Sequence, residues 1–267
     1  MPNVDNPKEF RCISLCSGYA GLELGLKRVI PALRTVCYVE VEAFACANLV
    51  AKIETGELDA APIWTDIKTF NGRPFHQRVH IITAGYPCQP FSVAGKRQGT
   101  DDPRHLWPYI ERIISAVRPI WCFFENVSGH LSIGFPEVYR SLRLMGYKVE
   151  ARLFTAAECG APHRRERLFI IAHANESRCR SGIIFDKENE IPHNETWNST
   201  KNIRTWRGWK HWFNKVCKDS NRGVISKADF YGMDDGIGKE SDRLRLLGNG
   251  VVPQQAEKAF RELIKLF

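Results

Sequence analysis

Six short apolar or β-branched runs, at 12–16, 35–40, 79–84, 120–125, 147–154 and 167–173, recur along the first two thirds of the chain, with helical periodicity between several of them. Leu22, Leu26, Val29 and Ile30 keep a period near 3.6, and Ile110, Ile113, Ile114 and Val117 share one face of a segment over 107–117. Strands that alternate with helices build a mostly parallel sheet covered on both sides, an α/β architecture. The pattern stops near residue 175. From there to 240, Asn, Ser, Thr, Gly and charged residues dominate and no apolar run exceeds four residues, which marks a small inserted domain. Beyond it Pro253 stands where a helix begins, and Phe260, Leu263, Ile264 and Phe267 form an apolar stripe expected to pack back on the first part. The expected division is 1–174 completed by 241–267, with 175–240 as the insert.

A chain of 267 residues, 43% of them hydrophobic, buries a core without disulfide staples. The nine cysteines are an odd count with no CxxC pair, and Cys37, Cys46 and Cys122 sit in apolar runs, as reduced thiols do. The opening MPNVDNPKEF has no apolar signal core, and no stretch nears the ~20 apolar residues of a membrane helix, so a soluble cytoplasmic protein is expected. A formal charge of +8 suits a polyanionic partner, although solubility alone accounts for such a balance.

The first run leads into SGYAGLELG at 17–25, a glycine-rich turn opening a helix, where absent side chains let a ligand reach the backbone. A ligand-free strand-to-helix turn has the same look. Glu40 shifts the balance: it ends the second run 19 residues after Gly21, near the ~20-residue offset at which an acid reaches ribose hydroxyls. Asp66, in WTDI, would follow the next strand and accept from an adenine amino group, and a solvated loop acid explains it equally well. The turn lacks the lysine and adjacent Ser/Thr that hold a triphosphate, and Glu23 in the first helical turn would repel a pyrophosphate. A cationic nucleoside such as S-adenosylmethionine fits better.

The run 79–84 ends in GYPCQPFS, at the carboxyl edge of the sheet where α/β proteins bind ligands. Pro87 and Pro90 would hold the Cys88 thiol out of the core, a placement suited to a nucleophile, although a lone cysteine is usually a small buried hydrophobe. The polar stretch 95–104 reads as a lid. Glu125, Asn126 and Val127 follow the apolar run at 120–124 and bring a carboxylate to the same edge. Farther on, PHRRER enters another strand, and alternation would put His163, Arg165 and Arg167 on one face and Arg164 and Glu166 on the other.

On these residues the chain resembles the DNA cytosine-5 methyltransferase family, over roughly the first 174 and last 27 positions. SLCSGYAGLELGL resembles its cofactor motif, GYPCQPFS its nucleophile motif, ENV its acid motif, PHRRER its basic motif and LGNGVVP its C-terminal motif, all in the family's order. The resemblance implies a Rossmann-like S-adenosylmethionine-dependent methyltransferase fold with a small inserted target-recognition domain. It makes Cys88 the nucleophile, sets Glu125 at the cytosine N3 edge, and has Arg165 and Arg167 hold the base. Ser17, Gly18, Tyr19, Gly21, Glu40, Val41, Asp66, Ile67, Pro87, Leu106, Asn249 and Val251 would surround the cofactor, which leaves as S-adenosylhomocysteine. The implied substrate is double-stranded DNA with its target base flipped out. The implied protein is a monomer in a bacterial or phage-infected cell, with room for a restriction endonuclease acting independently. Departures are visible. Ser14, Cys16 and Ala20 stand where the family usually has Asp, Phe and Gly, so aromatic cover on adenine is weaker or comes from elsewhere. His163 replaces a usual Gln, and the motif that props the recognition domain is not recognisable in 175–240.

Residues 196–223 hold seven Lys or Arg against one acid, Asp219, and include Trp197, Trp206, Trp209 and Trp212. Basic residues interleaved with aromatics suit nucleic-acid contact, while some of the tryptophans would form the insert's own core. Arg204, Trp206, Arg207 and Lys210 are the expected DNA contacts, joined by Lys96, Arg97 and Arg104 of the lid. Cys179, His193, His211 and Cys217 match no standard finger, and no metal is expected. Two other functions compete. A tRNA cytosine-5 methyltransferase would share these motifs, but that branch carries a Cys-Phe-Thr tripeptide absent here. A catalytically silent DNA-binding module would not need the intact Cys88, Glu125, Arg165 and Arg167.

Overall fold

Strands covered by helices on both faces must be apolar on both faces. Two neighbouring segments meet this demand, with all of Ile81–Ala84 buried and all but the last residue of Trp121–Val127. They are the centre of a seven-stranded sheet in a computed structural model that describes residues 9–87, 105–174 and 250–267. In chain order the strands are β1 (Phe10–Leu15), β2 (Leu33–Val39), β3 (Ile63–Trp64), β4 (Ile81–Ala84), β5 (Trp121–Val127), β6 (Tyr147–Thr155) and β7 (Glu166–Ala174), arranged β3-β2-β1-β4-β5-β7-β6. The first five positions of that order are mutually parallel, as the alternating pattern implies.

The departure is β7, antiparallel to both β5 and β6. Its cause is length. A parallel return needs a crossover of about a dozen or more residues, and only 156–165 separate β6 from β7. The chain therefore turns back as a hairpin and slots between β5 and β6. The beginning of β7 then lies beside the end of β5, with Arg167 opposite Val127 and Phe169 opposite Glu125.

Side chains alternate between two cores. On one face Ile82, Phe124 and Ile170 pack with Ile110, Ile113 and Val117 of α3 (Trp107–Val117) and with Val138 and Leu142 of α5 (Phe135–Leu144). On the other, Ile81, Phe123, Phe169 and Ile171 meet Leu22 and Leu26 of α1 (Gly21–Lys27) and Ala256, Phe260 and Leu263 of α6 (Pro253–Leu263). The helix expected over 107–117 has those bounds; it stops at Arg118, in a left-handed conformation (φ 55°), just before Pro119. Ile264 and Phe267 complete the stripe of the last segment, half-buried against the second core. Gly25 lets α1 and α6 touch: a Cβ there would lie 2.5 Å from the Pro253 carbonyl oxygen and 2.8 Å from Ala256 Cβ.

Three helical elements were not expected from the sequence. Of α2 (Ala43–Glu54) only Ala45, Leu49 and Lys52 are buried, a narrow strip that includes a lysine and so makes no apolar stripe. The Phe-Pro start of α5 reads as a breaker, yet Pro136 sits in the first turn, where its missing N–H costs nothing. The short α4 (His130–Ile133) is a single turn. Among the described residues no helix is long and apolar enough to cross a membrane.

Candidate active site

Between β1 and α1 the chain turns through alternate left-handed residues, Cys16 (φ 51°), Gly18 (φ 54°) and Ala20 (φ 65°). Glycine takes this conformation freely, whereas each L-residue held there costs about 1–2 kcal/mol. Ala20 thus shows why its position usually carries Gly. A Cβ added at Gly18 would meet nothing within 4 Å, so the loop is open on that side. At Gly21 it would collide with the Val251 carbonyl oxygen. The second glycine therefore makes room for the segment at Val251, and it also borders the cavity of the site.

Glu40 follows the last residue of β2 and reaches across to the loop. Gly18 N–H donates to its Oε2 (2.7 Å) and Glu42 N–H to its Oε1 (2.8 Å). A carboxylate has about four acceptor sites, so it still offers lone pairs to a ligand. Ser17 is fixed below, its hydroxyl accepting from Ser14 Oγ (2.8 Å) and donating to the Ser14 carbonyl (3.1 Å). Glu23, expected to repel a pyrophosphate, is not at the surface. It is buried, Thr83 Oγ1 donates to its Oε1, and burial pushes its carboxyl up. Its repulsion of a phosphate is therefore muted.

At the end of β4 the chain runs through Gly85, Tyr86 and Pro87 toward Cys88, which lies outside the described residues. Tyr86 is anchored at three points. Its hydroxyl bonds His130 Nε2 (3.0 Å), its carbonyl accepts from Asn126 Nδ2 (3.1 Å), and its ring lies 5.8 Å from that of Trp107. Glu125, within β5, is only 5% exposed and lies 3.1 Å from Arg167 Nε. Burial pushes its carboxyl up to about 7, against the opposing pull of Arg167 and Arg165.

The basic motif requires a correction. Strand geometry begins at Glu166, so the alternation expected from His163 does not hold. Ala156 N–H bonds the Arg164 carbonyl (2.8 Å) and holds that stretch as a turn, with Arg165 left-handed at φ 32°. His163 and Arg164 are exposed, and Arg164 pairs with Glu166 at 3.3 Å. Arg165 and Arg167 still act on Glu125, the first from the turn and the second from the strand.

One cavity of about 480 Å³ joins these parts, with Gly18 and Glu40 at one end and Glu125 and Arg167 at the other. Ser17, Tyr19, Gly21 and Val41 line it from the cofactor side, and Pro87, Leu106 and Val251 complete the wall. Asp66 and Ile67 do not line it. The Asp66 carboxylate accepts from Lys68 N–H (2.8 Å) within its own turn, and Ile67 is buried in the first core. Phe44 and Ala45, at the start of α2, do line it, and sequence reasoning missed them because α2 carries no stripe. Asn249, Lys96, Arg97, Arg104, Arg204, Trp206, Arg207 and Lys210 lie outside the described residues. Among the described residues no three His, Cys, Asp or Glu come together as a metal site.

A sheet of order 3-2-1-4-5-7-6 with β7 alone reversed, carrying a glycine loop and an acid at the ends of its first two strands, defines a Rossmann-like methyltransferase fold. The chain is similar to the solved S. pombe Dnmt2 methyltransferase (TM-score 0.53, 25% identity, 62% of this chain and 51% of that one). A putative DNA modification methyltransferase encoded within an E. coli prophage shares the fold (TM-score 0.52, 23% identity, 66% and 49%). The family model of C-5 cytosine-specific DNA methylases matches residues 10–231, and the chain belongs to that family of DNA cytosine methyltransferases. It is similar to the type II methyltransferase M.NgoMIV of Neisseria gonorrhoeae, 27% identical over 318 aligned positions covering 96% of this chain and 98% of that protein. M.NlaX of Neisseria lactamica is 33% identical over 172 positions, 62% of this chain and 53% of its own. The chain thus spans nearly all of the first relative and about half of the second.

Proposed function

We propose that this chain transfers a methyl group from S-adenosylmethionine to carbon 5 of a flipped-out cytosine in a specific duplex DNA sequence, through a covalent bond to Cys88. The supporting observation is the single cavity that has the glycine loop and Glu40 at one end and a buried carboxyl beside an arginine at the other. The cofactor end fits its ligand. The volume lies in the ~300–1,000 Å³ range of small-molecule sites, Gly18 leaves an open flank, and the acids suit a cationic nucleoside. Ser17, Gly18, Glu40 and Val41 would hold the nucleoside part. When bound, S-adenosylmethionine supplies an electrophilic methyl group for carbon 5.

The remaining chemistry falls to the chain's own residues. Carbon 5 is a poor nucleophile in an electron-deficient ring, so the Cys88 thiolate adds to carbon 6 and makes an enamine. Negative charge develops at N3 and O2. Glu125, whose carboxyl burial pushes up to about 7, keeps its proton closer to neutral pH than an ordinary carboxyl does and donates it toward N3. Arg165 and Arg167 steady both the base and the acid. Once carbon 5 carries the methyl group, a base accepts its proton, the electron pair of that C–H bond restores the 5,6 double bond, and the C6–S bond breaks to release Cys88 as a thiolate. The base reaches this cavity only by flipping, at a cost of a few kcal/mol.

Within this reading 1–174 and 241–267 form the catalytic domain and 175–240 reads the DNA sequence, with Arg204, Trp206, Arg207 and Lys210 as contacts and Lys96, Arg97 and Arg104 closing over the target. The protein acts as a cytoplasmic monomer, and the type II naming of its relatives supports a cognate endonuclease that works independently. The test is sequencing of 5-methylcytosine in DNA from cells expressing the protein. One recurrent sequence context is expected; modification of adenine, or of RNA alone, would overturn the proposal.

A further inference from the structure

Gly250 and Val251 lie where the motifs of this site meet. The Val251 carbonyl oxygen accepts from the Tyr19 hydroxyl and stands against Gly21, where no Cβ fits. Its side chain faces the nucleophile turn, since a Cβ at Gly85 would lie 3.5 Å from Val251 Cγ2 and 3.7 Å from Glu125 Oε2. One residue earlier, the Gly250 carbonyl accepts from Arg165 Nη2. Gln255 braces the arrangement from α6, its Nε2 donating to the Phe154 carbonyl (2.7 Å) and the Arg165 carbonyl (3.0 Å). Tyr19 is itself held: its ring is buried, Lys52 Nζ lies 5.2 Å from the ring centroid, and the same Nζ donates to its carbonyl at 3.4 Å. A hydroxyl from the glycine loop and a guanidinium from the basic motif therefore grip consecutive carbonyls of one two-residue segment.

We propose that Tyr19 is a positioning residue that holds Arg165 in place through the Gly250–Val251 carbonyls, so that filling the glycine-loop end of the cavity is transmitted to its Glu125 end. The inference deepens the function proposed above and rests on it in one respect, that S-adenosylhomocysteine binds at the glycine loop. The backbone of Arg165 supplies the reason. A non-glycine residue at φ 32° is strained and persists only where its surroundings over-determine it. Those surroundings include the Arg165 bond to Gly250, the Gln255 bond to its carbonyl and a longer bond from Ala156 N–H to the same carbonyl (3.3 Å). Removing the Tyr19 hydroxyl leaves the Val251 oxygen without that donor, lets the segment shift, and loosens the arginine that depends on it. The ring and its contact with Lys52 remain in Tyr19→Phe, so the change is confined to one hydrogen bond.

Hydrogen exchange of the full chain with and without S-adenosylhomocysteine tests this without requiring turnover or a known DNA site. In the wild type the ligand should slow exchange in peptides covering 16–21 and also in those covering 163–168 and 250–255. At ligand concentrations that saturate it, Tyr19→Phe should keep protection at 16–21 but lose roughly fivefold or more of the protection at 163–168, the low end of measured site-to-site couplings. Equal transmission in the variant, or wild-type protection confined to 16–21, overturns the role of Tyr19. Absence of protection at 16–21 in the wild type overturns the cofactor reading instead, and the inference falls with it. Thermal melting of both proteins shows whether Tyr19→Phe is folded; where it is not, Arg165→Lys, which loses the Nη2 bond to the Gly250 carbonyl, should show the same loss of protection at 163–168 with 16–21 kept, and equal transmission in it overturns the role of the Gly250–Val251 segment.

Discussion

Cys88 and Glu125 divide the proposed chemistry between a group that must ionise and a group that must not. Cys88→Ser should abolish methyl transfer while leaving DNA binding largely intact, because a hydroxyl is far less ionised than a thiol near neutral pH. Duplex DNA carrying 5-fluorocytosine at the target should trap the wild type in a denaturant-resistant adduct and leave the serine variant free. Full turnover by the variant, or no adduct, removes Cys88 from the mechanism. For Glu125 the sign follows from its carboxyl near 7, above the ordinary carboxylate range. The folded protein holds this proton longer than the unfolded chain does, so the stability contributed by the group falls as pH rises from about 4.5 to about 7 and is level above. Glu125→Gln is neutral throughout; its stability relative to wild type should shift in its favour between pH 5 and pH 8, which urea melts at both values will read. Its single-turnover rate should be far lower, and the fall in rate expected of the wild type as Glu125 loses its proton above about pH 7 should be absent. At this scale the sequence suggests a role where a residue's identity states its chemistry, as in the roles proposed for Cys88 and Glu125. It was silent where the neighbours decide, since nothing in PHRRER shows that Arg165 sits in a left-handed turn or that Glu23 is buried beneath the loop.

Elements were readable to the extent that one face of them is apolar. The six runs became six strands and 107–117 a helix of those bounds, whereas α2 and the two-residue β3 bury too little to leave a pattern. The reversal of β7 depended on a connection length and a place in the sheet, neither of which periodicity reports. Two predictions belong here. Gly25 is in a helix interior, where Ala is ordinarily favoured by about 1 kcal/mol. Because its Cβ would meet the Pro253 carbonyl and Ala256, Gly25→Ala should instead destabilise by about 1–3 kcal/mol, measured as a lower urea midpoint at unchanged slope. A stabilised variant would mean that α1 and α6 do not pack as described. Glu40→Ala removes the acceptor of two backbone N–H groups as well as the proposed ribose contact. Cofactor affinity should fall by roughly 1–3 kcal/mol in calorimetry, and the melting temperature should fall too. Lost affinity with an unchanged melting temperature would show that the loop does not need this tether.

At the scale of the whole molecule the proposed division of labour is between a catalytic body and the insert at 175–240. Exchanging that insert for the corresponding segment of a related enzyme should move methylation to the donor's sequence, as mapped by sequencing 5-methylcytosine. An active chimera that keeps the original sequence would place specificity elsewhere, most directly in 95–104. The proposed boundary of this insert rests on a change of composition alone, and the packing of α6 on the first part was visible only as a short apolar stripe. That closure has a consequence for synthesis. The surface formed by Leu22, Leu26 and Ile30 is covered by Ala256, Phe260 and Leu263, and α6 begins 226 residues after α1 ends. At about 5–20 residues per second, a ribosome needs on the order of 10–45 s to make that intervening length. Throughout that interval the nascent protein carries an uncovered apolar face beside its first strand. The face is therefore sealed by an element translated long after it, which makes the elongating chain a client for chaperones and makes any product that stops short of α6 a marked target for proteolysis.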